Sequence, residues 1–343
     1  MTSASPPGLE LARLRAYLDA HHPGLRTGEL RAELIAGGRS NLTYTLHDDS
    51  HTWILRRPPL GHVLRTAHDM TREHRVISAL APTAVPVPGT VLLCPDAEVL
   101  GAPFYLMEYV AGTIYRTAEQ TASLGPERAA TLAYTLVDVL ADLHEVDPAA
   151  VGLGDFGHPA GYLERQVRRW KGQLDASRSR ELPGIEELHA RLAATTPAES
   201  GAGIVHGDYR LDNVVVDAGG RVAAVLDWEM ATLGDPLADL GLLLVYWDGL
   251  GRIGGNAVAT AVNPAAGFPP GSALTARYAE RRGADLARLP WYTAFGYFKL
   301  AVIAEGIHYR YTRGKTVGAG FEELGAIVPP LVAQGHATLS EET

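Results

Sequence analysis

Cysteine is nearly absent from this sequence, since Cys94 is the only one among 343 residues. A single thiol excludes an intramolecular disulfide framework and a cysteine-based zinc site, so we expect Cys94 to be a buried free thiol in a reducing compartment. The N-terminus also lacks the basic start and apolar run of a secretory signal. The most apolar stretch, residues 237–247, is too short to cross a bilayer and contains Asp239. We therefore expect a cytoplasmic protein without a membrane partner.

Basic residues are outnumbered as well, with 30 lysines and arginines against 39 aspartates and glutamates, a net charge of -9. General nucleic-acid binding needs a basic excess that neutralises phosphates, so nucleic acid is excluded as a partner. Hydrophobic residues, by contrast, make up 46% of the chain. This content supports one large domain or two lobes that share a cleft. No pattern in the sequence indicates an oligomeric state.

The periodicity of apolar residues changes along the chain. Leucines at helical spacing predict an amphipathic helix over residues 9–21. Residues 30–109 instead show short β-like runs punctuated by glycine and proline, with one helix predicted at 70–80. After residue 109, helices dominate. We therefore predict two domains: residues 1–109, an N-terminal helix and a β-rich lobe, and residues 110–343, a mainly helical lobe.

The polar residues with the clearest chemistry surround a predicted hairpin at residues 214–226. Asp208 and Asn213 are five residues apart, and Asp227 follows fourteen residues after Asn213. The hairpin returns Asp227 to the end at which Asn213 lies. A carboxylate there can orient a hydroxyl group and accept its proton, while amide and carboxylate oxygens are the ligands that Mg²⁺ prefers. Asp and Asn beside glycine often only form turns, but the whole constellation favours a site.

The runs Ile204–Asn213 and Val225–Glu229 resemble the catalytic loop and the metal-binding aspartate of the aminoglycoside phosphotransferase and choline kinase-like superfamily. The resemblance implies an α+β, protein-kinase-like two-lobed fold, with a small antiparallel β N-lobe and a larger helical C-lobe. It also implies an enzyme that uses ATP and Mg²⁺ to phosphorylate a hydroxyl of a small molecule. In that scheme Asp208 is the catalytic base, Asn213 and Asp227 bind the metal, and Asp239 braces the catalytic loop.

The same resemblance implies a nucleotide site in the N-terminal lobe. Its expected residues are Gly38, Ser40, Asn41, Arg56, Glu73, Met107, Glu108 and Val110. The glycine loop would cover the phosphates, Arg56 would pair with Glu73, and the last three would surround the adenine. Three of these assignments have alternatives. A Gly-Gly pair is often an ordinary turn, Arg57 competes with Arg56, and a Met in an apolar run is often core.

Within the superfamily, the chain is most similar to phosphotransferase domains that occur alone in bacteria or fused to acyl-CoA dehydrogenases. The similarity is carried by the runs Gly37–Asn41, Leu55–Pro59, Ala67–Glu73, Tyr162–Trp170 and Leu226–Glu229. It implies a hydroxyacyl-CoA or related hydroxy acid as the acceptor. An antibiotic kinase for aminoglycosides or macrolides is one alternative, and a nucleotide-binding regulator without turnover is another.

Residue chemistry alone says less about the acceptor. Basic residues crowd two segments, 165–180 and 308–315, which could hold an anionic tail such as the phosphates of coenzyme A. They could equally form helix faces balanced by neighbouring acids. Aromatic residues at 291–298 could line a substrate pocket or belong to the core.

Overall fold

The computed structural model describes residues 6–35, 41–60, 68–253, 262, 264–314 and 323–340. The chain divides into two compact units. The first contains Met1–Ala111 and Ala223–Ala231, and the second contains Gly112–Val222 and Thr232–Thr343.

The first unit combines an antiparallel sheet with helices. Its elements are α1 (Leu11–His21), β1 (Arg31–Leu34), β2 (Leu42–His47), β3 (Thr52–Arg57), α2 (Met70–Leu80), β4 (Thr90–Cys94), α3 (Ala97–Leu100) and β5 (Phe104–Glu108). The strands follow the order β1-β2-β3-β5-β4, so β3 has a partner on each side. The predicted helix at 9–21, the short strands and the intervening helix at 70–80 are confirmed.

Strand β3 presents different chemistry on its two faces, because successive side chains of a strand point in opposite directions. Trp53 and Leu55 belong to a buried apolar cluster that includes the leucines of α1. Arg56 has the opposite parity, and helix α2 lies on that side with Glu73 buried. One face of the sheet therefore forms the core, and the other carries a buried charge pair. Cys94 is buried and free, as expected.

Helix α2 has a well-defined start. The side chain of Asp69 accepts a hydrogen bond from the Arg72 N–H at 3.1 Å, which is the usual role of an aspartate at a helix N-cap. The predicted apolar side of this helix, including Val76 and Ile77, is buried. The cap and the apolar stripe together fix the position of Glu73 on the helix.

The second unit is mainly helical. Its elements, with β8 shared across the unit boundary, are α4 (Ala118–Ala122), α5 (Pro126–Glu145), α6 (Tyr162–Ser177), α7 (Ile185–Ala194), β6 (Gly203–Val205), β7 (Val214–Val216), β8 (Val222–Val225), β9 (Thr232–Gly234), α8 (Leu237–Leu244), α9 (Gly271–Arg282), α10 (Leu289–Thr312) and α11 (Val328–Ser340). Strands β6 and β9 pair in antiparallel fashion. The predicted turn forms after β7, where the Asp217 N–H donates to the Arg221 carbonyl at 2.9 Å.

Helix α10 is the centre of the second unit. It has 24 residues, is about 36 Å long at the usual rise per residue, and packs against α6, α7, α8 and α11. Its aromatic residues Trp291, Tyr292, Phe295, Tyr297 and Phe298 are all buried. They belong to the core, which is the second of the two predicted roles. No described helix has both the length and the apolar character needed to cross a membrane.

Candidate functional site

Asp227 lies in an unusual backbone conformation on the first unit. Its φ of 64° and ψ of 60° make it the non-glycine residue with a left-handed conformation in the described part of the chain. Such a conformation is costly and tends to occur at functional sites. It is held from both sides, because the Trp228 indole donates to the Val225 carbonyl at 3.0 Å and the Val225 N–H donates to Pro86 at 2.8 Å. The main chain around Asp227 is therefore anchored within the first unit.

Arg56 joins Asp227 to helix α2. Its Nη2 lies 2.9 Å from Asp227 Oδ1 and 3.2 Å from Glu73 Oε1. Burial alone would lower the pKa of Arg56, but the neighbours Glu73, Tyr105 and Asp227 outweigh it, so the pKa is raised and the guanidinium stays charged. Burial raises the pKa of Glu73, and the Arg56 charge opposes this shift. The structure thus brings together the predicted Arg56–Glu73 pair and adds Asp227.

Arg57, the competing candidate, serves a different purpose. It donates to the backbone carbonyls of Gly8, Leu100 and Pro58, the last two at 2.8 and 3.3 Å. Its side chain is buried, and burial lowers its pKa. The structure therefore assigns Arg57 to backbone contacts and leaves Arg56 as the charged partner of Glu73.

The predicted phosphate-covering loop is only partly described, because Gly38 and Ser40 lie outside the described residues. Asn41 is buried at 3% exposure. Its Nδ2 donates to Glu229 Oε2 at 2.9 Å, and its Oδ1 lies 2.9 Å from Nδ1 of His68. Both polar atoms of this side chain are therefore engaged within the first unit.

The predicted adenine contacts lie at the end of β5 and just after it. Met107 is buried in the sheet opposite Ile54. The N–H of Glu108 donates to the Gly89 carbonyl at 2.8 Å, so it is not available to a ligand. Across the described ranges we find no hydrogen bond to the Val110 N–H. Val110 therefore retains the backbone donor that its predicted role requires.

On the second unit, the loop after β6 is held by Asp239 of α8. This carboxylate accepts hydrogen bonds from the N–H groups of His206 at 2.6 Å and Gly207 at 2.8 Å. Burial alone would raise the pKa of Asp239, but the hydrogen bonds of His144 and the backbone N–H groups outweigh it, so the pKa is lowered. Gly207 has a φ of 85°, which glycine adopts without strain. The predicted bracing role of Asp239 is confirmed.

Asp208 and Asn213 come together at the end of this loop. A short 3₁₀ turn, Leu211–Asn213, brings Asn213 Nδ2 to 2.8 Å from the Asp208 carbonyl and 3.0 Å from its Oδ2. The other carboxylate oxygen, Oδ1, accepts a hydrogen bond from the Tyr246 hydroxyl at 2.6 Å. Arg210 Nε lies 3.3 Å from Oδ2. The loop carboxylate and the loop amide are thus hydrogen-bonded to each other.

Each unit keeps one oxygen suited to a divalent cation. Hydrogen bonds of Asn213 use Nδ2, and contacts of Asp227 use Oδ1, so Asn213 Oδ1 and Asp227 Oδ2 have no partner in the described segments. Over the same segments, no group of three or more His, Cys, Asp or Glu residues could hold a metal by itself. Mg²⁺ is commonly bound by one or two protein oxygens together with substrate phosphates and water, so each of these oxygens has the chemistry of a magnesium ligand.

Two residues near Asp208 were missed by sequence reasoning. Tyr246 lies at the end of an apolar run and matches no motif, so the sequence held no signal for it. Lys299 did carry a signal, because it is an isolated charge within the apolar helix α10. It is buried, and its Nζ donates to the Gly207 carbonyl at 2.6 Å.

The first basic cluster, at residues 165–180, is largely matched by acids. The ion pairs of the first cluster are Arg168–Glu164 at 3.7 Å, Lys171–Asp175 at 2.5 Å, Arg178–Glu186 at 3.1 Å and Arg180–Glu305 at 3.1 Å. These contacts favour balanced helix faces over a dedicated anion site. Lys315 of the second cluster lies outside the described residues.

The fold and the braced loop define a kinase-like phosphotransferase, and solved structures agree. A Ralstonia eutropha protein, provisionally described as an aminoglycoside phosphotransferase, is 32% identical with a TM-score of 0.82 and covers 97% of this chain and 98% of its own. A macrolide 2'-phosphotransferase, MphH from Brachybacterium faecium, is 22% identical with a TM-score of 0.60 and covers 94% and 98%. The second likeness shows the fold alone. The predicted protein-kinase-like fold is confirmed.

The sequence model of the phosphotransferase enzyme family matches residues 31–289. Acyl-CoA dehydrogenase family member 11 of Homo sapiens is 34% identical over 331 residues, which is 94% of this chain and 42% of that protein. Acyl-CoA dehydrogenase family member 10 of Mus musculus is 33% identical over 95% of this chain and 30% of its own length. The chain thus spans less than half the length of these relatives. It belongs to the phosphotransferase enzyme family and is an enzyme of the small-molecule kinase class.

We expect Asp239→Asn to loosen the catalytic loop, because an amide accepts poorly from two adjacent N–H groups. Loss of one hydrogen bond to a charged group should lower the free energy of unfolding by about 1.5–3 kcal/mol. Amide hydrogen exchange at His206 and Gly207 should accelerate. Asp138→Asn, which removes a carboxylate paired with Arg277 elsewhere on the second unit, is the control and should leave this exchange unchanged. Equal protection of the loop in both variants would contradict the bracing role.

Proposed function

We propose that this chain transfers the γ-phosphate of ATP to a hydroxyl of a small molecule in an Mg²⁺-dependent reaction. The observation that carries the proposal is the arrangement at Asp208. Its carboxylate is held by Asn213 at 3.0 Å, while the preceding backbone is braced by Asp239. A fixed carboxylate of this kind suits a group that orients a hydroxyl and accepts its proton.

The remaining roles follow from the oxygens and charges that each residue offers. Asn213 and Asp227 would hold Mg²⁺, which when bound neutralises charge on the β- and γ-phosphates. Arg56, kept charged and oriented by Glu73, would contact the phosphates with a guanidinium donor. Gly38, Ser40 and Asn41 would cover the phosphates, and for Asn41 the engaged side chain leaves the backbone as the contact. Met107, Glu108 and Val110 would surround the adenine.

In this proposal, the nucleotide and the acceptor bind to different parts of the chain. Residues 1–109 form the nucleotide-binding lobe, and residues 110–343 supply the catalytic loop and the acceptor site. For the acceptor we favour a hydroxyacyl-CoA or a related hydroxy acid. The support is the similarity over 94% of the chain to a protein named for the acyl-CoA dehydrogenase family.

Phosphorylation of an antibiotic is a second candidate function. It is favoured by the Ralstonia eutropha structure, which is 32% identical and provisionally described as an aminoglycoside phosphotransferase. A nucleotide-binding regulator without turnover is the remaining alternative, and the joint presence of Asp208, Asn213 and Asp227 argues against it.

To identify the acceptor, ADP release from ATP and Mg²⁺ is measured in separate reactions with hydroxyacyl-CoAs, free hydroxy acids, aminoglycosides and macrolides. We expect turnover with the hydroxyacyl compounds. Asp208→Ala should lower kcat by about a hundredfold or more with unchanged nucleotide affinity, because a positioned base is lost. Turnover only with antibiotics would select the second candidate. Absence of turnover with every acceptor would favour the regulator, and wild-type turnover in the variant would remove Asp208 from the mechanism.

Asp227→Asn should remove the gain in nucleotide affinity that Mg²⁺ provides. Asparagine tolerates the left-handed backbone of this position, so the change tests the charge rather than the fold. Isothermal titration calorimetry with ADP, with and without Mg²⁺, gives the comparison. The wild type should bind more tightly with the metal, whereas the variant should bind equally in both conditions. A preserved metal effect would contradict the assignment of Asp227.

Arg56→Gln and Arg57→Gln form a matched pair of neighbouring substitutions. Loss of Arg56 should weaken nucleotide binding about tenfold or more, because a charged contact to the phosphates disappears. Loss of Arg57 should instead lower the unfolding temperature, because three backbone carbonyls lose their donor. Calorimetry and thermal unfolding measure the two effects. Weaker nucleotide binding in Arg57→Gln alone would reverse the assignment.

A further inference from the structure

Tyr246 is the residue from outside the catalytic loop whose hydroxyl reaches the proposed base. Its side chain is buried, and its hydroxyl donates to Asp208 Oδ1 at 2.6 Å. It belongs to a π-helical turn, Val245–Gly249, that directly follows α8. Turns of this type are rare and occur frequently at functional sites. Burial, followed by the charge of Asp208, raises the pKa of Tyr246 well above its usual range, so the phenol remains protonated and donates.

The Tyr246 ring is also held in place. The guanidinium of Arg210 lies over it, 5.1 Å from the ring centroid. Arg210 Nη1 lies 2.9 Å from Asp212, which keeps the guanidinium within the same loop. The cation–π contact therefore connects the loop to the π-helical turn. The Tyr246 hydroxyl therefore contacts Asp208 from a side chain that is held in place.

Donors on both oxygens fix the plane of the Asp208 carboxylate. The last torsion of an aspartate side chain has broad preferences, so a donor on one oxygen alone leaves the group free to rotate. Here Asn213 donates to Oδ2 and Tyr246 donates to Oδ1. Each carboxylate oxygen has two lone pairs, so Oδ1 can still accept the proton of an incoming hydroxyl. The contact thus orients the base without blocking it.

Lys299 acts on the peptide that precedes Asp208. Its Nζ donates to the Gly207 carbonyl at 2.6 Å and lies 5.4 Å from the Trp170 ring centroid. In the described ranges no carboxylate lies within ion-pair distance of this ammonium. Burial lowers its pKa, while the charges of Asp208 and Asp239 oppose that shift. Burial of a cation without an ion pair costs free energy, and the hydrogen bond to the Gly207 carbonyl offsets part of this cost.

Gly207 is therefore held by two groups of opposite charge. Its N–H donates to Asp239 and its carbonyl accepts from Lys299. The positive φ of Gly207 lets both contacts form at one residue. Lys299 thus fixes the main chain before Asp208, and Tyr246 fixes the Asp208 carboxylate.

We propose that Tyr246 and Lys299 are positioning residues for phosphoryl transfer, with Tyr246 setting the plane of the Asp208 carboxylate and Lys299 setting the peptide before it. This inference rests on the proposed function of Asp208. Neither residue needs to touch the substrate. Both come from helices well separated in sequence from the catalytic loop.

Tyr246→Phe tests the first contact by removing one hydroxyl. Turnover is measured as ADP release from ATP and Mg²⁺, with a hydroxyacyl-CoA as acceptor and separately with water. We expect kcat to fall about 10- to 100-fold, the effect of one lost hydrogen bond to a charged group, while KM for ATP stays unchanged. Tyr292→Phe is the control, because its buried hydroxyl donates to a different carboxylate, Asp235, at 2.7 Å. It should keep kcat within about twofold of the wild type.

Asp208→Asn separates failure of this inference from failure of the proposed function. Full turnover in Asp208→Asn would contradict the role of Asp208 itself. Loss of turnover there, with wild-type kcat in Tyr246→Phe, would overturn only the positioning role. An equal loss in Tyr246→Phe and Tyr292→Phe would also overturn it, because a general weakening of the fold would then explain both.

Lys299→Met and Lys299→Arg test the second contact. Methionine fills similar space without a donor, so kcat should fall about tenfold or more with KM for ATP unchanged. Arginine retains a charged donor and should recover part of that loss. The unfolding temperature of each variant is measured alongside. If both variants lose activity equally while remaining folded, or if Lys299→Met keeps full activity, Lys299 does not position the loop.

Discussion

The hydrogen bonds from His206 and Gly207 to the Asp239 carboxylate determine where the catalytic loop lies on the second unit. Asp239 belongs to the first turn of α8. A buried carboxylate is tolerated only when donors surround it, and the backbone and His144 supply them. The first turn of α8 thus determines the position of Asp208.

Both units contain buried charges, but they satisfy them differently. In the first unit, Arg56 and Glu73 form an ion pair that extends to Asp227. In the second unit, backbone N–H and C=O groups take much of this role, at Asp239 and at Lys299. Buried ion pairs contribute little net stability because desolvation offsets their attraction. Orientation of functional groups explains these contacts better than stability does.

The sequence predicted the parts of the site that are close together along the chain. Asp208 and Asn213 lie five residues apart in one short loop, and this spacing, together with the hairpin before Asp227, indicated a site. Arg56 and Glu73 were matched through a family resemblance, whereas the choice between Arg56 and Arg57 needed the structure. Strand parity decides it, because neighbouring residues of β3 face opposite sides of the sheet.

Other features depend on tertiary packing that no local pattern encodes. Tyr246 and Lys299 reach the catalytic loop from the π-helical turn after α8 and from α10, at sequence distances where periodicity says nothing about contact. The side chain of Asn41 is engaged by Glu229, which lies 188 residues further on. The change from a β-rich to a mainly helical segment was predictable because hydrophobic periodicity is a local property that each element carries by itself.

Arg57 ties the residues before α1 to the rest of the first unit. Its guanidinium binds the Gly8 carbonyl as well as that of Leu100, and Leu9 beside it is buried. A chain trimmed to start within α1 would leave this guanidinium short of an acceptor and open an apolar gap. Purification tags that must be cleaved off are therefore better placed ahead of Pro6, with a spacer, than fused directly to the first helix.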